Sequence, residues 1–142
     1  MRAPYGSGDW SEADFVKLFE SCQFPNGQFK HGDHIRLAWI YLRQGSYEAA
    51  EQRIVASIRR FAGSLGHSEK YHETVTRAWM RLVSSACRST PDAASFDDFL
   101  ARNSWLLDRN LLLGFYSKEH LQSDAARAGW REPDLKPLPA AE

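Results

Sequence analysis

Apolar residues recur three and four positions apart along most of this chain, and no segment shows strict alternation of apolar and polar residues. The first spacing stacks side chains on one face of a helix, whereas alternation would line one face of a strand. The pattern therefore predicts an all-α protein, a compact bundle of four to six helices joined by short loops. A chain of 142 residues can bury one core without covalent staples, so residues 1–142 are read as a single helical domain.

Punctuation divides the chain into those helices. Ser11 stands three residues before Asp14, a capping-box spacing, ahead of the apolar face Phe15, Leu18, Phe19. The turn signal Phe24-Pro25-Asn26-Gly27 closes that run. A second helix is expected from about residue 31 to Arg43, ended by Gly45-Ser46. Ser46 caps a third through about Ala62, with Ala49, Ala50, Ile54, Ile58 and Phe61 as its stripe, and Gly63 to Gly66 end it. Ser68 is expected to cap a fourth running to about Arg88, and Ser95 with Asp98 opens a short fifth. Ser117 and Ser123 could each cap a short helix farther on. The segment 1–10 reads as a flexible lead. Residues 131–142 hold Pro133, Pro137 and Pro139 and read as an extended tail.

Histidine sits at the head of two of these stripes. His31 and His34 share a face with Ile35, Ala38, Tyr41 and Leu42; His72 lines up with Val75, Ala78, Trp79, Leu82, Val83 and Ala86. A polar ring on a core-facing stripe is costly without a partner. Short turns make neighbouring helices antiparallel, so the second and fourth helices run parallel and start at the same end of the bundle. His31, His34 and His72 are thus expected to converge. Residues of about 103–118 should return to that end, offering Asp108, Tyr116 and His120, while Tyr71 and Glu73 flank His72. His67, in a glycine-bounded loop, reads as exposed or capping.

Known signatures do not fit. His72-Glu73-Thr74-Val75-Thr76 begins like the zinc-protease HExxH helix, but threonine stands where the second histidine ligand belongs. No dinucleotide or phosphate loop and no nucleophile elbow is present. The segments FKHGDHIRLAWIYL and KYHETVTRAW, with the ending YSKEHLQSDAARAGWREPDLKPLP, resemble a family of small bacterial all-helical proteins without an assigned activity. The likeness covers most of the chain from Phe29 onwards. It implies that the three segments belong to one module and implies nothing about substrate or cofactor.

Composition narrows the partners. Eighteen basic residues balance eighteen acidic ones, and they are dispersed, so no basic stripe invites nucleic acid or anionic lipid. Cys22 and Cys87 form no closely spaced pair, which excludes a cysteine-rich zinc module. There is no run of about 18 apolar residues and no signal-peptide pattern, so the expectation is a cytoplasmic protein without a membrane span.

Three functions follow from these residues. The first is a small metalloenzyme in which His31, His34 and His72 bind a transition metal (Zn, Cu or Fe) and Glu73, Tyr71 and Tyr116 serve catalysis on a small organic substrate. The second is a metal-free lyase, isomerase or cyclase using the same imidazoles as an acid–base pair, with Arg36 or Arg77 holding a substrate carboxylate. The third is a non-enzymatic helical module binding a ligand or partner, as a monomer or a homodimer.

Overall fold

The computed structural model describes residues 11–24 and 29–142. Among them are seven α-helices: α1 Glu12–Glu20, α2 His31–Gln44, α3 Tyr47–Ser64, α4 Glu73–Ser89, α5 Phe96–Arg102, α6 Lys118–Leu121 and α7 Asp124–Ala128. Single 3-10 turns stand at Ser68–Lys70, Ser104–Leu107 and Leu111–Gly114, and no strand occurs among the described residues. The all-helical expectation holds. The count exceeds four to six because Ser117 and Ser123 each start a helix of one turn, their Oγ accepting the N–H of His120 (3.2 Å) and Ala126 (3.1 Å). The lead at 1–10 and the turn at 25–27 lie outside the described residues.

Local chemistry sets the helix boundaries. Ser11, Ser46 and Ser95 each accept a backbone N–H from the residue three positions on, at 3.1 Å, satisfying one of the orphan donors at a helix start. α1 and α3 end in the same way. Gln23 N–H bonds the Leu18 carbonyl across Cys22 at φ 61°, and His67 N–H bonds Ala62 across Gly66 at φ 73°. Glycine adopts that left-handed conformation freely, whereas Cys22 has a Cβ that disfavours it.

α2 is the central helix. Ile35, Leu37, Ala38, Trp39, Ile40 and Tyr41 are all buried, so it is covered on more than the one face its stripe implied. α3 and α4 pack on it and on each other, and α1 covers α3. α3 contributes Ala50, Ile54 and Phe61; α4 contributes Ala78, Trp79, Met80, Leu82, Val83 and Ala86. α2 and α4 run parallel, since the His31 ring meets Trp79 at 4.6 Å and Arg43 shares a surface recess with Cys87 and Thr90.

The two helices are nevertheless staggered. His31 lies level with Trp79, seven residues beyond His72, which is about 10 Å along a helix axis. α4 also begins later than its stripe suggests. Ser68 caps no α-helix; it opens the 3-10 turn, and α4 starts only after His72.

Residues 130–142 carry no helix and are tied to the body of the protein. Thr74 Oγ1 donates to the Gly129 carbonyl (2.7 Å) and accepts Arg131 N–H (3.1 Å), and Phe115 O accepts Leu135 N–H (2.9 Å). The Trp130 ring lies against the guanidinium groups of Arg81 (4.5 Å) and Arg77 (5.3 Å). No helix among the described residues is long and apolar enough to cross a membrane.

Candidate functional site

His31 is the first residue of α2, and its ring is fixed from two sides. Nε2 lies 2.8 Å from the Leu106 carbonyl, which can only accept, so Nε2 carries the proton and Nδ1 holds the lone pair. Trp79 meets the ring edge to face. Burial holds the His31 pKa below its usual value, opposed by the Leu106 bond and reinforced by the Arg109 charge. The ring is therefore neutral at pH 7. The chain does return to this end after α5, as the segment around Leu106 shows.

His34 lies one turn farther along α2. Its Nε2 is shielded from solvent and has no hydrogen-bond partner among the described residues. Burial, with His31 close by, pushes its pKa down to about 4. The adjoining aromatic neighbour is Phe29, 6.2 Å between ring centres.

The structure brings His31 and His34 together, but His72 is engaged elsewhere. His72 is the N-cap of α4: Nδ1 accepts Val75 N–H at 3.1 Å and Nε2–H donates to the Leu121 carbonyl at 2.7 Å. Both ring nitrogens are thus used in a neutral imidazole. Burial lowers its pKa, and the nearby Arg127 guanidinium adds to that. Among the described residues no group of three or more His, Cys, Asp or Glu side chains is arranged to hold a metal ion.

The other expected site residues also have protein partners. Tyr71 OH donates to Glu73 Oε1 at 2.7 Å, and Glu73 pairs in turn with Arg77 at 3.7 Å. Burial and that carboxylate raise the Tyr71 pKa, so its proton is held. Tyr116 is fully buried with OH on the Arg131 carbonyl (2.7 Å), and burial pushes its pKa up to about 12. Arg36 is buried against Glu12 at 2.9 Å, and Arg77 also meets Glu51 at 3.2 Å, so protein carboxylates occupy both. His120 donates to the Glu132 carbonyl, His67 is exposed, and Asp108 accepts Asn110 N–H.

Periodicity missed a cleft at the start of α2, of about 590 Å³, lined by Phe29, Lys30, His31, Gly32, Leu100, Leu107 and Arg109. Its walls are mainly apolar, and its size falls in the range of small-molecule sites. Lys30 and Arg109 stand 79 positions apart, so no local spacing joins them; only the return of the chain after α5 does. Neither has a carboxylate within ion-pair distance among the described residues. Asp33 instead turns Oδ2 to the N–H of Lys30 at 3.0 Å.

No protein family, curated protein or solved structure matches this chain.

Proposed function

We propose that this protein is a helical module that binds a small organic molecule in the cleft at the start of α2. One observation carries the reading: the recess of about 590 Å³ has a mainly apolar lining that also includes an imidazole of fixed tautomer, His31, and two cationic side chains, Lys30 and Arg109. The partner is then a small molecule rather than nucleic acid or a membrane. We place the protein in the cytoplasm, a reading supported by its two free cysteines. The test is a small-molecule screen followed by the His31 ring signals in NMR spectra of the full chain. Bound molecules should shift those signals, and Leu107→Asp, at a half-exposed wall position, should weaken them all. Binders that ignore Leu107→Asp, or a screen with no binder, would overturn the proposal.

A second reading is favoured by the buried Nε2 of His34, which has no hydrogen-bond partner among the described residues. There a transition metal (Zn, Cu or Fe) draws imidazoles from His31 and His34 without His72, whose two ring nitrogens are engaged about two turns away. Elemental analysis of protein purified without a nickel column decides it. A metal present at one equivalent and lost in His34→Ala supports this reading; equal content in both proteins removes it.

A further inference from the structure

The cleft is lined mainly by apolar surface, and two cations, Lys30 and Arg109, are among its lining residues. The two come from separate segments, one just ahead of α2 and one from the loop after the 3-10 turn Ser104–Leu107. Several other arginines of the fold are paired with carboxylates: Arg36 with Glu12, Arg53 with Glu20, Arg77 with Glu51 and Glu73. Here the acidic side chains close by in sequence serve the backbone. Asp33 Oδ2 takes Lys30 N–H and Asp108 Oδ1 takes Asn110 N–H. The cleft also opens on the first turn of a fourteen-residue helix, where the backbone contributes positive potential of its own.

We infer that the ligand of this cleft is a carboxylate on an apolar body, its charged end between Arg109 and Lys30 and its body against Phe29, Leu100 and Leu107. The inference rests on the proposed ligand-binding role of the cleft and adds the chemical class. A carboxylate matches a guanidinium in two parallel hydrogen bonds, whereas Lys30 offers a flexible point charge. The apolar walls supply the affinity that an exposed ion pair alone lacks.

The experiment compares two probes of one shape on the full-length protein, 4-phenylbutyrate and its neutral amide, by calorimetry and by the His31 ring signals. The carboxylate should bind on the order of tenfold more tightly than the amide, and Arg109→Gln should erase most of that difference while leaving the amide unchanged. Arg109 is exposed, so this variant keeps the fold. Equal binding of the two probes overturns the inference and leaves the cleft reading standing. A carboxylate preference that survives Arg109→Gln also overturns it, since the charge is then read elsewhere. Binding of neither probe, with no shift at His31, removes the cleft reading and this inference with it.

Discussion

Two helices of this protein begin at a histidine, and the two rings have opposite fates. At α4, His72 stands just outside the helix and closes it, one nitrogen on Val75 N–H and the other on the Leu121 carbonyl. At α2, His31 is already inside the helix, Lys30 is the cap without an acceptor side chain, and His34 a turn later has a buried nitrogen with no partner among the described residues. One end is a finished structural joint. The other holds unspent polar capacity beside a cleft. Buried polar groups are satisfied almost everywhere in folded proteins, so the start of α2 is the end that departs from the rule among the described residues.

The largest effect expected from this contrast is a pH dependence carried by His34. Its folded pKa is about 4, against 6.5 for the free side chain, so on acidification the unfolded chain takes up the proton first. The stability this group confers is complete above pH 6.5 and is lost as pH falls towards 4, with a total of about 3 kcal/mol. His34→Leu should therefore gain on the wild type by about that amount between pH 7 and pH 4. At pH 7 the variant should already match or exceed the wild type by about 1 kcal/mol, because it removes a buried nitrogen without a partner among the described residues. Urea unfolding across that range measures both. Parallel stability curves for the two proteins would show that His34 has a partner or solvent in the folded state.

The sequence made much of this frame legible and placed the decisive ring wrongly by one turn. Serine caps at Ser11, Ser46, Ser95, Ser117 and Ser123 work as their spacing implies, because capping is a local interaction between a hydroxyl and an N–H three residues on. The parallel run of α2 and α4 also followed from short connections. Register did not. With Ser68 as the expected cap, His72 fell on the inner stripe of α4. With the 3-10 turn taking Ser68–Lys70, the same residue becomes the cap itself. The two-turn stagger of α2 against α4 is set by how Trp79 packs beneath His31, a contact between residues 48 apart that periodicity does not encode. The cleft was hidden for the same reason, since its two cations meet only in the folded chain.

The opposite half of the contrast predicts a smaller, destabilising effect. His72→Ala deletes the N-cap and leaves the Leu121 carbonyl without its donor, which should cost about 2 kcal/mol in urea or thermal unfolding. His72→Asn restores an acceptor for Val75 N–H and should recover about half of that. If His72→Ala unfolds at the wild-type midpoint, the ring is not closing α4, and its role as a finished joint fails.

The smallest expected effect comes from completing the start of α2 as α4 is completed. Lys30 has extended backbone angles, φ −96° and ψ 172°, which suit a serine cap. Lys30→Ser supplies the missing acceptor for the first turn and should stabilise the protein by about 0.5 kcal/mol. The same change removes one of the two cations at the cleft, so affinity for a small carboxylate should fall by about threefold while the neutral amide binds as before. Stability and binding would then move in opposite directions on one substitution, the behaviour expected where a helix end is kept open for a ligand. Gain on both counts would mean that Lys30 serves neither the helix nor the cleft, and that the open start of α2 is only a weak cap.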